Sequence, residues 1–324
     1  MYEADRLANK LRQKLEIIQP FLDDESVTDI MLNPDGKIWI DRLTEGITET
    51  DVAIEPSQAM LIIGAVADFN GKTANADNSI LHGVLPDGER FEAVIPPSTP
   101  DFPTWTIRCP RSASFLLSDY VATGRMPEYV ADYIRKAVAQ KKNIIVSGGT
   151  GSGKTTLTNA ILSELNLSSP DERILVMEDT REINIDMKDK VFFTANEKQT
   201  MTNLLAASLR YRPDRIILGE IRGAEALDLL KSWNTGHPGG ISTVHANSAH
   251  SALARFETLL LEANGNLNIN FIRSLVGDAV DCVIHIQREK KFGPQLSEVI
   301  EVKTIDNHGN YVTETVYSKD YGKD

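Results

Sequence analysis

Residues 148–155 read GGTGSGKT and follow directly on the apolar run Asn143-Ile-Ile-Val-Ser147. Four of these eight residues are glycine, and Lys154 is the only charge among them. A stiff β-branched stretch that runs into the most pliable backbone in the chain constrains the fold strongly. The run reads as a strand, the loop as its exit, and residues 154–165 as the helix that receives it.

The stretch fits G-x-x-x-x-G-K-[ST], with Gly148, Gly153, Lys154 and Thr155 in the fixed places. Glycine lets the backbone of Gly148, Gly149, Thr150, Gly151, Ser152 and Gly153 curl so that successive N–H groups face one centre, where phosphate oxygens fit. The helix then adds the unpaired N–H groups of its first turn, at Lys154, Thr155 and Thr156, and the positive end of its dipole. Lys154 has the reach for β- and γ-phosphates, and the Thr155 hydroxyl suits Mg²⁺. A strand before the loop and a helix after it separate this from a chance match, so the expected ligands are ATP and Mg²⁺.

Such a loop needs carboxylates. Glu178 and Asp179 end the run Ile174-Leu-Val-Met177, and Glu220 follows Ile216-Ile-Leu218-Gly219. Acids at the carboxyl ends of parallel strands face the ligand crevice. One is expected to hold Mg²⁺, with Thr155, Asp179 and Glu220 as the metal-side candidates, and another to activate water. Sequence does not separate Glu178 from Glu220 in this respect; the favoured assignment is Glu178 as base and Glu220 near the metal. His245 ends a further strand, Gly240-Ile-Ser-Thr-Val244. It reads equally as a structural histidine and as a γ-phosphate contact.

Strands alternating with helices across 128–244 imply a mainly parallel sheet, an α/β domain. Ahead of it, a helix over 3–19, a hairpin Val27–Leu32 and Lys37–Asp41, a helix over 56–70 and strands 91–95 and 104–108 read as a smaller α+β domain. The expected boundaries are 1–117 for the first domain, 118–127 for a polar linker, and 128–324 for the second. The polar tail after about 303 reads as an edge strand with a frayed end.

Composition narrows the function classes. Lys and Arg number 34 against 46 Asp and Glu, a formal charge of −12, which argues against a dedicated nucleic-acid coat. The two cysteines, Cys109 and Cys282, are far apart and suit neither a disulfide framework nor a cysteine-rich zinc site. No stretch approaches the ~20 apolar residues of a membrane span. The expected location is therefore the cytoplasm, with docking at a membrane through other proteins.

Four stretches stand in order: GGTGSGKT (148–155), MEDTREI (177–183), LRYRPDRIILGEIRG (209–223) and GGISTVHANS (239–248). Together they resemble the Walker A, Asp box, Walker B and His box of the secretion traffic ATPases of type II and type IV secretion. The Walker B stretch centres on Gly219-Glu220, without the Asp-Glu pair usual in other phosphate-loop ATPases. Two isolated cysteines do not match the zinc insertion of the type II branch. The run 212–215, the run 236–240 and the short first domain are similar to the TrbB-type conjugal transfer subfamily.

The resemblance implies a RecA-like ATPase domain, a homohexameric ring, and work beside inner-membrane channel components and other secretion ATPases on the inner face of the bacterial inner membrane. It implies a nucleotide between the two domains, with arginines reaching in from the same or the adjacent chain. Arg90 and Arg108 match the family's arginine positions best, and Arg210, Arg212 and Arg222 are also expected near the site. A DNA translocase or helicase is the alternative; it needs a basic, aromatic-lined channel, against which the acidic charge weighs. A small-molecule kinase and a nucleotide-gated scaffold are weaker readings. Cargo, whether pilus subunit or DNA, is not legible.

Overall fold

The computed structural model describes residues 2–42, 45–109, 115–196, 198–289 and 292–319. The chain divides into two units, Met1–Arg111 and Ser112–Asp324.

In the first unit, helix α1 (Tyr2–Leu15) runs through a 3-10 turn (Glu16–Ile18) into α2 (Gln19–Asp23). Leu11, Leu15, Ile18 and Leu22 recur every three to four residues, and all are buried. The strands are β1 (Val27–Leu32), β2 (Lys37–Arg42), β3 (Gly46–Ala53), β4 (Ile80–Val84), β5 (Arg90–Val94) and β6 (Thr104–Arg108), with α3 (Pro56–Phe69) between β3 and β4. They form one sheet in the order β3-β2-β1-β6-β5-β4. Its apolar face carries Ile30, Ile38, Phe91 and Ile107 against α1 and α3.

The second unit contains α4 (Leu117–Ala122), α5 (Glu128–Ala139), β7 (Ile144–Gly148), α6 (Lys154–Ser168), β8 (Arg173–Glu178), β9 (Asp189–Thr194), α7 (Met201–Ser208) and β10 (Arg215–Ile221). It continues with α8 (Glu225–Asn234), β11 (Ile241–His245), α9 (Ala249–Ala263), α10 (Ile269–Ala279), β12 (Cys282–Glu289), β13 (Gly293–Ile305) and β14 (Tyr311–Ser318). The sheet order is β14-β13-β12-β7-β11-β10-β8-β9. From β12 to β9 every neighbouring pair is parallel; β13 and β14 are added antiparallel at one edge.

Helices cover both faces, so the central strands are apolar throughout. Ile144 and Val146 point into one core with α4, α5 and α6. Ile145 points into the other with α7 to α10, as period two requires. All three are fully buried, and each such side chain stabilises the fold by about 1.5–3 kcal/mol. This is the expected α/β, RecA-like unit, which follows a smaller α+β unit along the chain.

The segment 118–127 differs from the expected linker. Residues 117–122 form α4, and Leu117, Tyr120 and Met126 are buried in the core of the second unit. Its polar residues, Ser118, Asp119 and Thr123, lie on the outside of a short amphipathic helix, which gives the stretch a linker's composition without a linker's exposure. Asp119 also accepts the Leu116 N–H at 2.8 Å, closing the helix start. The tail after 303 holds the edge strand β14, as expected, paired antiparallel with β13; the end expected to fray, 320–324, lies outside the described residues.

Candidate functional site

Parallel pairing aligns the carboxyl ends of β7, β11, β10 and β8. His245 is the direct partner of Gly148, and Leu218 is the partner of Met177. Every acid named above thus lands at the same rim as the loop.

The loop itself is held from behind. A Cβ on Gly148 would collide with the Ile286 carbonyl of β12 and with Ser152 Oγ. Gly153, at φ +93°, caps α6 in a left-handed conformation and has no side chain to fill the first turn. The first amides of α6 are therefore open to an anion. Ser152 Oγ is buried with no hydrogen-bond partner among the described residues. Lys154 Nζ donates to the carbonyls of Gly148 and Gly149 at 3.1 and 3.0 Å, which folds the side chain over the loop. Gly149, Thr150 and Gly151 form the loop's exposed outer arc, and Thr156 is half-buried at the start of α6. A pliable cradle, an orphaned hydroxyl and an ammonium bent over both fit a polyphosphate.

A continuous line of contacts joins Lys154 to the acids. His245 Nδ1 lies 3.3 Å from Lys154 Nζ and so acts as acceptor. His245 Nε2 lies 2.8 Å from Glu220 Oε1, an ion-pair contact. Glu220 Oε2 accepts from Arg222 Nη2 at 2.6 Å, and Arg222 Nη1 donates to Asp179 at 3.0 Å. With Arg222 and Asp179 about half exposed, such pairs contribute about 0–1 kcal/mol each. That is too little to lock the acids against a charged ligand.

Glu178 occupies a different setting. It is 5 % exposed, and its Oε1 accepts the N–H groups of Glu182 and Ile183 at 3.0 and 2.9 Å. A Cβ on Gly219 would sit 2.8 Å from Glu178 Cγ. Here lies the reason for glycine ahead of Glu220: strand β10 gives up its side chain so that the neighbouring strand β8 can insert a carboxylate in that space.

Sequence reading missed Glu182. Its carboxylate accepts the Thr155 hydroxyl at 3.1 Å, so the acid nearest the expected metal-binding hydroxyl is neither Asp179 nor Glu220. The only available signal was a third acid four residues after Glu178. A second missed residue is His285 on β12, 4 % exposed, whose Nδ1 meets Ser147 Oγ at 2.9 Å directly beneath the loop. Burial pushes its pKa below the usual histidine value; Glu298 pulls it back up, and the Lys154 ammonium adds to the lowering.

Two expected arginines are not brought to this rim. Arg210 and Arg212 sit on and just after the 3-10 turn Leu209–Tyr211, ahead of the amino end of β10, whereas Glu220 is near its carboxyl end. Arg90 and Arg108 belong to the first unit and face each other directly across β5 and β6. Asp29 is the partner of Arg108 on the other side, on β1. The described residues contain no group of three or more His, Cys, Asp or Glu side chains arranged for a metal. An Mg²⁺ held by Thr155 and phosphate oxygens needs no such cluster.

The chain matches the type II/IV secretion system protein family over residues 12–308. It belongs to that family. Conjugal transfer protein TrbB of Rhizobium radiobacter is 43 % identical over 311 residues, covering 95 % of this chain and 94 % of that protein. Type IV secretion system protein VirB11 of Bartonella henselae is 33 % identical, covering 86 % of this chain and 90 % of that one. Among solved structures, the Legionella pneumophila ATPase DotB superposes with a TM-score of 0.63 at 19 % identity, over 86 % of this chain and 78 % of that chain. The last is a likeness of fold. In this secretion family member, the four stretches that resemble the Walker A, Asp box, Walker B and His box lie at the ends of β7, β8, β10 and β11 respectively.

Proposed function

We propose that the chain is an ATP-hydrolysing motor subunit of a conjugative type IV secretion system, converting ATP and water to ADP and phosphate to drive pilus assembly, substrate transfer or both. The observation that carries this is the joined constellation of Lys154, His245, Glu220, Arg222 and Asp179 around an open phosphate cradle. The 43 % identity to a conjugal transfer protein points the motor to conjugation.

In this reading the amides of 149–155 and Lys154 hold the β- and γ-phosphates, and Thr155 with Glu182 forms the metal side. Mg²⁺ would be held on this side by Thr155 and Glu182 and would supply positive charge against that building on the phosphates. Glu220 activates water: it stands at the phosphate rim in contact with His245, and a base must lie within hydrogen-bond reach of the proton it takes. Glu178 serves instead as the clamp of the 182–183 backbone. This moves the base from Glu178, the sequence-based choice, to Glu220, because Glu178 Oε1 is already engaged by two amides, and it moves the metal side from Glu220 to Glu182. His245 relays the state of the γ-phosphate between Lys154 and Glu220. Arg90 and Arg108 supply positive charge to the phosphates, in keeping with the family's arginine positions.

The motor works as a homohexamer at the inner face of the bacterial inner membrane, held there by channel components and other secretion ATPases. No helix among the described residues is long and apolar enough to cross a membrane.

Substitution by amides tests the assignment. Glu220→Gln should lower kcat by at least about 100-fold with nucleotide binding kept. Glu178→Gln, whose carbonyl oxygen still accepts both amides, should lower it less than about tenfold, the lesser cost of a positioning change. The reverse order would return the base to Glu178.

A further inference from the structure

The roles above leave Asn159 unexplained. This side chain is only 9 % exposed and lies four residues after Thr155 on α6, hence on the same helix face. Its Nδ2 donates to the Glu182 carbonyl at 3.3 Å, and its Oδ1 accepts the Asn184 N–H at 3.1 Å. One carboxamide thus takes the C=O before and the N–H after residue 183. A residue on a neighbouring parallel strand makes the same pair of bonds.

The segment that carries these groups has no other regular support. Residues 179–188 form neither helix nor strand. Ile183, Ile185 and Met187 are buried in the core beneath, which leaves Glu182 and Asn184 facing away from it, as alternation requires. Glu182 is held at three points: its N–H by Glu178, its carbonyl by Asn159, and its carboxylate by Thr155. Two of these three holds come from consecutive turns of α6, the helix whose first turn receives the phosphates.

We propose that Asn159 is a positioning residue for hydrolysis, whose carboxamide registers the backbone of Glu182 against α6 so that its carboxylate meets Thr155. This rests on the metal-side role of Glu182 given above. Phosphate grip and acid placement then share one rigid element. A shift of about 1 Å in a catalytic group can cost about 100-fold in rate, so a backbone anchor at this point is a sensitive control on turnover.

The test uses the full chain with ATP and Mg²⁺. Asn159→Ala should lower kcat by about 10- to 100-fold. The KM for ATP and the Kd of a fluorescent ATP analogue should stay within about threefold, since no phosphate contact is lost. The Mg²⁺ concentration for half-maximal rate should rise. Asn159→Asp keeps the acceptor for Asn184 but loses the donor to Glu182; it should show the same split in milder form, and it carries the test if the alanine variant unfolds. Glu182→Gln should reproduce the loss, and the double variant should lose little more than either single one, as expected of groups acting as a unit.

Wild-type kcat in both Asn159 variants, with Glu182→Gln inactive, would overturn the positioning proposal alone. So would loss of ATP binding in step with kcat, or fully additive losses in the double variant. Full activity of Glu182→Gln would overturn the role of Glu182 and this proposal with it, while leaving the ATPase reading standing.

Discussion

Gly219 and Glu178 show how a single missing side chain can move an acid from one strand to the next. In sequence the glycine stands out only as the residue before Glu220 in the Walker B-like stretch. In the structure it is a cavity filled by the Glu178 side chain. Gly219→Ala should therefore act through Glu178: its Cβ would press on Glu178 Cγ and loosen the hold on the Glu182 and Ile183 amides. The expected outcome is a loss of turnover of about tenfold or more, with ATP binding retained. Unchanged kcat would show that the clamp is dispensable.

His285 supports a second prediction at this scale. Burial keeps its folded pKa below the unfolded value, so the unfolded chain takes up a proton first as pH falls. Stability linked to this group is intact above the usual histidine range and is lost as pH falls through it toward the folded pKa. His285→Gln should flatten that part of the stability profile, measured by denaturant unfolding at a series of pH values. A variant with the wild-type pH dependence would place the loss elsewhere.

At the scale of elements, what was legible in sequence was whatever is continuously apolar or marked at its ends. The strand runs 144–147, 174–177 and 215–218, buried on both faces, show as apolar runs, helix α3 shows by its opening proline and the Asn70-Gly71 after it, and the phosphate loop by glycine. Strand β3 does not, because its residues Gly46–Ala53 alternate only between half-buried and exposed. Glu182 was hidden for another reason: it sits in an irregular stretch, and its neighbour Thr155 is close in space and not in sequence. The 118–127 segment misled because exposure was inferred from polarity. Since Leu117 is fully buried and Tyr120 packs edge-on against Phe115 with centroids 5.3 Å apart, Leu117→Ala should destabilise the second unit by about 2–5 kcal/mol. A true linker would tolerate that change with no shift in the unfolding midpoint.

At the scale of the whole molecule, two separately cored units and a net charge of −12 suit a component that works by protein–protein contact and not by coating a polyanion. Assembly into a ring should appear as turnover per chain that rises with protein concentration alongside the mass measured by light scattering. Constant specific activity across that range would argue for a self-sufficient monomer. If the 148–155 loop grips ATP for hydrolysis, steady-state phosphate release from ATP and Mg²⁺ by the wild-type chain and by Lys154→Ala, with folding checked by thermal unfolding, tests it directly. The wild type should show slow but measurable release, and an equally folded Lys154→Ala should lose at least about 100-fold. Equal release by both would contradict it.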